Sequence, residues 1–89
     1  MKTIWKYPLS EKCSFAMPQG AKILTVARQN DESCLWALVD SEAPLCRRTF
    51  VMLGTGHEIL ENNLTFLGSV QYIEGAIVMH VFEKNEDVL

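Results

Sequence analysis

Residues 21–40, AKILTVARQNDESCLWALVD, contain two apolar segments separated by a short polar cluster. The first segment, 21–28, and the second, 34–40, have the length and the Val, Ile, Leu and Trp content of β-strands, and QNDES between them is rich in turn-forming residues. This pattern predicts a β-hairpin whose strands are apolar on both faces at their centres. A helix is the alternative, because the leucines of the second segment also suit a helical stripe. The β-branched residues and the turn cluster favour strands.

The same signals predict four further strands, which makes six in total. These four lie at residues 3–7, 48–53, 64–72 and 76–83. The first is expected at a sheet edge, because it stops at Pro8, which cannot donate to a ladder. The last two are separated by a glycine-containing turn and form a second hairpin. Residues 9–20 are expected to be a loop that ends in a Pro-Gln-Gly turn and holds a short extended piece at Phe15 and Met17.

Six strands with short connections and no long helix predict an all-β domain. Its strands should pair antiparallel in a small curled sheet, barrel or sandwich. The 89 residues form a single domain, 1–89, and the charged tail at 84–89 is expected to fray. Several strands look apolar on both faces, which is more burial than one open sheet of this size provides. A homo-oligomer is therefore expected.

Composition and charge restrict the class of function. Hydrophobic residues make up 48% of the chain and charged residues 21%, which is typical of a globular protein and not of a disordered one. No apolar run is long enough to span a membrane, and the N-terminus lacks the apolar core of a secretory signal, so a cytoplasmic protein is expected. The net charge of −3 disfavours duplex nucleic acid as a partner. A small anionic ligand needs only one local basic site.

The cysteines and histidines do not form a recognisable metal or disulfide pattern. Three cysteines, Cys13, Cys34 and Cys46, are widely separated and lack a CxxC spacing. Ordinary thiols are expected, with Cys34 in the core. His57 and His80 have no carboxylate or cysteine at ligand spacing, so no metal site is predicted, and His80 is predicted to be half-buried and hydrogen-bonded. A catalytic cysteine paired with either histidine stays open as an alternative.

Candidate anion-binding groups concentrate in RRTFVMLGTGH at residues 47–57. Gly54 and Gly56 allow a tight turn whose backbone amides can face an anion, and Thr55 and His57 add side-chain donors. The pattern matches neither a P-loop nor a dinucleotide-binding fingerprint. A glycine bulge that bends the strand end is the alternative interpretation.

Two arginines and several aromatic residues complete this inventory. Arg47 and Arg48 are neighbours on a predicted strand and therefore point to opposite faces, so at most one of them lines a given pocket. A guanidinium binds phosphate in a bidentate manner; the alternatives are solvated charge or a salt bridge to Asp40 or Glu42. A purine could stack on Trp36, Trp5 or Tyr7; the alternative is that these rings lie in the core.

The segments IWKYPL, MPQGAKIL, CLWALVD, RRTF and GTGH resemble those of a family of proteins of about this length found mainly in tailed bacteriophages and prophages. The similarity extends from Trp5 to Phe82, and its most specific part runs from LWALVD to GTGH. By analogy with small phage accessory proteins, the resemblance implies an anti-defence role in the cytoplasm of an infected bacterium. One class of such proteins binds nucleotide-derived immune signals, such as cyclic dinucleotides or cyclic ADP-ribose isomers, without cleaving them.

The resulting hypothesis is sequestration of a small nucleotide ligand without a cofactor and without catalysis. The predicted ligand-binding residues are Arg47, Arg48, Gly54, Thr55, Gly56, His57, Trp36 and Tyr7. Two alternatives remain. One is a protein–protein interaction module or virion accessory module, and the other is an enzyme that degrades such a nucleotide with His57 as acid or base.

Overall fold

The structure is a computed structural model that describes residues 1–85, and this part of the chain contains seven β-strands and no helix. The strands are β1 Lys2–Pro8, β2 Lys12–Pro18, β3 Lys22–Gln29, β4 Glu32–Asp40, β5 Leu45–Gly54, β6 Leu64–Tyr72 and β7 Ile77–Lys84. The predicted all-β class is confirmed. The sequence predicts a frayed tail at residues 84–89. Residue 84 is the last residue of β7, and residues 86–89 lie outside the described residues.

Strand β2 corrects the prediction of a loop at residues 9–20. It pairs antiparallel with β5, with Phe15 opposite Arg48. The extended piece expected at Phe15 and Met17 is thus part of a seven-residue strand, and the Met17 side chain is fully buried. Ser14 and Ala16 weaken the local strand signal, and the pairing partner lies about thirty residues later in the chain, so the tertiary ladder decides the conformation here.

The strands form two antiparallel sheets, which together are an open sandwich and not a closed barrel. The three-stranded sheet has the order β1-β4-β3, and the four-stranded sheet has the order β2-β5-β7-β6. Both predicted hairpins are confirmed, since β3 pairs with β4 and β6 pairs with β7. The remaining pairs, β1–β4, β2–β5 and β5–β7, join strands that are not consecutive in the sequence.

The core lies between the two sheets and takes alternate residues from each. Strand β4 contributes Leu35, Ala37 and Val39, while Phe50 from β5 and Val81 from β7 face them from the other sheet. All five are at most 1% exposed. Burial of a side chain of the size of leucine or phenylalanine contributes roughly 1.5–3 kcal/mol, so these contacts hold the two sheets together.

At one side of the sandwich β3 and β6 approach closely. A bulge between Phe66 and Gly68 interrupts the β6 ladder, and Gly68 has a φ of 153°. A Cβ at Gly68 would lie 2.6 Å from Cγ2 of Val26, so only glycine permits this approach. Farther along β6 the Tyr72 hydroxyl hydrogen-bonds the Ser33 hydroxyl, which ties the same strand to β4. β1 and β2 are the free outer strands on the opposite side.

Candidate functional site

Two backbone amides of the turn at Gly54-Thr55-Gly56-His57 already donate within the protein. The His57 amide donates to the Gly54 carbonyl at 3.1 Å, which closes a four-residue turn with Gly56 at φ 85° in its third position. This position of a type II turn requires positive φ, which explains the glycine. The Thr55 amide donates to the Val78 carbonyl at 3.3 Å. Two of the amides that an anion would need are therefore already occupied.

The turn lines a shallow depression of about 230 Å³ on the outer face of the four-stranded sheet. The depression is formed by Leu53, Gly54, Thr55, Gly56, His57, Ile59, His80 and Phe82. Its polar centre is His80, whose Nε2 lies 2.7 Å from Thr55 Oγ1 and whose Nδ1 lies 2.8 Å from Ser69 Oγ. The prediction of a half-buried, hydrogen-bonded His80 is confirmed. The lining contains no lysine or arginine, so it offers an anion little electrostatic attraction.

Arg48 points into the molecule and is held by protein groups. Its Nε and NH2 atoms donate to the two carboxylate oxygens of Glu83 at 2.6 and 2.7 Å, and NH1 donates to the Ala21 carbonyl at 2.5 Å. The hydrogen bond to Glu83 is the main reason that the pKa of Arg48 is raised. The salt-bridge alternative is therefore correct for Arg48, but the partner is Glu83 and not Asp40 or Glu42. Its guanidinium is not available to a ligand.

Tyr7 is also directed inward. Its ring centroid lies 5.2 Å from that of Phe15, which belongs to the facing sheet. The hydroxyl is buried without a hydrogen-bond partner among the described residues. Burial raises the pKa of Tyr7, and the nearby Arg48 charge partly offsets this. In this position the ring packs against the core and does not present a face to a base.

Arg47 lies on the opposite side of β5 from Arg48, as the sequence predicts, and is exposed. It is opposite Ala16 in the ladder and makes no hydrogen bond or salt bridge within residues 1–85. Six residues of extended strand separate it from Leu53, which corresponds to about 20 Å. The structure thus groups the four turn residues and separates them from Arg47, Arg48, Tyr7 and Trp36. A binding role for the turn stays a prediction.

Trp36 belongs to a second surface, on the outer face of the three-stranded sheet. It is half-buried on the central strand β4, with Lys6 of β1 opposite on one side and Thr25 of β3 opposite on the other. Next along β4, Leu38 lies between Ile4 and Lys22. We call this surface the lysine–tryptophan face, and it consists of Lys2, Ile4, Lys6, Lys22, Trp36 and Leu38. The strand alternation of β1 and β4 places these side chains on one side of the sheet.

The three lysines make this face locally basic in an acidic chain. All three are exposed, and the Lys6 ammonium donates to the neutral Gln29 side chain at 2.9 Å, so its charge is not compensated there. Asp40 opposes Lys2 in the ladder but also contacts the N-terminal ammonium at 3.4 Å. Its pKa is lowered, chiefly by the hydrogen bond that the Glu42 amide donates to it.

The arrangement combines two kinds of contact that a nucleotide needs. Ammonium groups attract phosphate as point charges, and an indole ring offers a face on which any base can stack. A depression of about 140 Å³ lies at the Lys2 and Lys22 end of the face, and Gly20 and Asp40 also line it. The sequence names Trp36 but does not group Lys2 and Lys6 with it, because β1 meets β4 only through a long-range ladder.

These features define a small antiparallel β-sandwich with an open, basic and aromatic sheet face. Residues 1–88 match the family model described as a domain of unknown function, DUF7352, and the chain belongs to this family. Comparison with curated proteins and with solved structures gives no match. The relationship to phage proteins expected from the sequence stays a prediction.

Among residues 1–85 no group of three or more His, Cys, Asp or Glu side chains is arranged to hold a metal ion. The same part of the chain has no helix long and apolar enough to cross a membrane.

Proposed function

We propose that this protein is a non-catalytic binding protein for a small nucleotide-type ligand and that the lysine–tryptophan face is its binding site. The observation that supports the proposal is the position of Trp36 on the outer face of the central strand β4. Lys6 lies directly opposite it on β1, and Lys22 lies opposite Leu38, the next residue on the same face of β4. In the specific form expected from the resemblance, the ligand is a nucleotide-derived immune signal that is held intact in an infected bacterium.

The energetics of such a site come from stacking and from local charge. Stacking of a base on an aromatic side chain contributes roughly 1–3 kcal/mol, and each nearby ammonium group adds attraction for phosphate that salt will weaken. The net charge of −3 acts in the opposite direction on a long polyanion. A small ligand that contacts only the basic face is therefore favoured over duplex nucleic acid.

The direct test is to incubate the purified protein with cyclic dinucleotides and cyclic ADP-ribose isomers, filter the mixture and analyse the filtrate by chromatography. The measurement is repeated after the protein has been heat-denatured. We expect one compound to disappear from the first filtrate and to return unaltered in the second. A compound that returns chemically changed would contradict the proposal in favour of an enzyme, and an unaffected panel would contradict it in favour of a protein partner.

Variants of the same protein identify the surface that binds. Trp36→Ala should weaken binding by roughly 5- to 150-fold, because it removes the stacking contribution. Lys6→Gln should weaken it less and should reduce its salt dependence. Arg47→Ala is the matched control, since it removes an exposed cation from the other sheet. If Arg47→Ala weakens binding as much as Lys6→Gln, the lysine–tryptophan face is not the specific site.

A further inference from the structure

The outer edge of β1 presents unpaired backbone groups. The Leu9 amide donates to the Ser33 carbonyl at 2.8 Å, and the Ser41 amide donates to the Met1 carbonyl at 2.9 Å. These two hydrogen bonds show which residues of β1 bond to β4. Because the direction of the backbone groups alternates along a strand, the odd-numbered residues of β1 direct their amides and carbonyls toward β4. The even-numbered residues Lys2, Ile4 and Lys6 direct theirs to the open edge. Within the described residues no backbone partner meets them there.

Apolar side chains are exposed along the same edge. Met1 is 72% exposed, Ile4 56% and Trp5 39%. Trp5 is the most informative of these, because it lies opposite the fully buried Ala37 and thus points to the core side of the sheet. The ring remains partly exposed only because β1 is the last strand. A further strand beside β1 would cover it.

The total accessible surface is larger than expected for a compact monomer of this mass. The chain has an accessible surface of 6020 Å², whereas a monomer of this mass is expected to have about 5,300 Å². The excess of about 700 Å² is close to the roughly 800 Å² that each partner buries in a stable interface. A second copy of the chain is an occupant of matching chemistry, because its β1 presents the same outward-directed amides and carbonyls.

We propose that β1 pairs antiparallel with β1 of a second copy across a twofold axis at Trp5. The two three-stranded sheets then form one continuous six-stranded sheet. In this register the amide of Ile4 donates to the carbonyl of the partner's Lys6, and the amide of the partner's Lys6 donates to the carbonyl of Ile4. Pro8 has no backbone N–H to donate, but its carbonyl accepts a hydrogen bond from the amide of the partner's Lys2.

The lysine charges favour this register over the two registers that are shifted by two residues. A shift of two residues in one direction places Ile4 opposite Ile4 and sets Lys2 against the partner's Lys6. A shift in the other direction sets Lys6 against the partner's Lys6. Like charges directly opposite each other destabilise an antiparallel pair, and of these three registers only the Trp5-centred one avoids such contacts.

The same register brings the two Trp5 side chains together at a non-hydrogen-bonded position. At such positions the two Cα atoms are about 4.5 Å apart, so the indoles contact each other and shield each other from water. Both lysine–tryptophan faces lie on one side of the combined sheet. The pairing itself does not depend on the proposed ligand.

Sedimentation equilibrium across a dilution series tests the assembly. We expect a mass twice the 10.1 kDa of one chain, and we expect Trp5→Lys to be monomeric because it places two ammonium groups opposite each other. Leu60→Lys is the control: Leu60 is 78% exposed outside the strands, and this variant should remain dimeric. Circular dichroism verifies that each variant is folded. A monomeric wild type, or a dimeric folded Trp5→Lys, would overturn the proposal.

Cross-linking tests the register independently. In the Trp5-centred pairing, Trp5→Cys places two thiols opposite each other at a distance that a disulfide can span. Thr3→Cys is the matched variant, because Thr3 then faces the partner's Tyr7. We expect an oxidised dimer on a non-reducing gel for Trp5→Cys only, above the background set by the wild type with its native cysteines. Equal cross-linking of both variants would overturn the proposed register.

Discussion

The role of Arg48 depends on a partner that is distant in the sequence. The sequence correctly places Arg47 and Arg48 on opposite faces of one strand, because strand alternation is a local property. It does not reveal which of them is buried, because Glu83 lies on another strand. With both carboxylate oxygens bonded to the guanidinium, Arg48 acts as a structural link between β5 and β7.

The Arg48 and Glu83 pair leads to a prediction about stability. The side chains are 20% and 16% exposed, so removal of one leaves the other charge largely buried and unpaired. Arg48→Met should lower the free energy of unfolding by about 3 kcal/mol. The double variant Arg48→Met with Glu83→Leu should be more stable than the Arg48→Met single variant, because no unpaired charge remains. Urea denaturation of the wild type, both single variants and the double variant measures this, and strictly additive losses would contradict it.

Among the secondary-structure elements, the two hairpins follow from local sequence signals, whereas the other strand pairs depend on tertiary contacts. The β3–β4 and β6–β7 hairpins could be predicted because each consists of two apolar segments around a turn cluster. β2 could not be predicted as a full strand, because its ladder partner β5 follows more than twenty residues later. The lysine–tryptophan face depends in the same way on β1, which reaches β4 across two intervening strands.

The close approach of β3 and β6 gives a prediction for Gly68. Gly68→Ala places a methyl group against Val26 and forces alanine into a φ that L residues rarely adopt, so it should lower the free energy of unfolding by roughly 1–3 kcal/mol. In a Val26→Ala background the steric part of this loss should disappear. Thermal denaturation of the double-mutant cycle measures the coupling. An equal loss in both backgrounds would show that the contact is not responsible.

The connection between β5 and β6 is tethered by Glu61, which accepts from Lys84 at 2.9 Å and from Lys12 at 3.0 Å. These hydrogen bonds, first that of Lys84, lower the pKa of Glu61 in the folded protein. The tether therefore stabilises the fold at pH values above the ordinary pKa of glutamate, and this contribution is lost as the pH falls through the lowered folded-state pKa.

Glu61→Gln tests this tether. The variant should be less stable than the wild type at neutral pH, and the difference should disappear on acidification because both side chains are then uncharged. Urea denaturation at a series of pH values follows the difference. A difference that is unchanged at acidic pH would attribute the effect to packing and not to charge.

At the scale of the whole molecule, the two outer faces differ in chemical character. The four-stranded sheet carries the Gly54–His57 turn and a depression around His80 that no lysine or arginine lines, whereas the three-stranded sheet carries the exposed lysines around Trp36. The sequence predicts the all-β class and names both Trp36 and the turn. It cannot show that they lie on different sheets, because sheet order follows from long-range pairing.

The lysine–tryptophan face is tested most directly by a two-dimensional ¹H–¹⁵N NMR titration with the nucleotide retained in the filtration experiment. We predict that the largest chemical-shift changes occur at the Trp36 indole and at the backbone amides of Lys6, Lys22 and Leu38, with small changes at Arg47. Changes centred instead on Thr55, Gly56 and His57 would contradict this account and would assign binding to the turn.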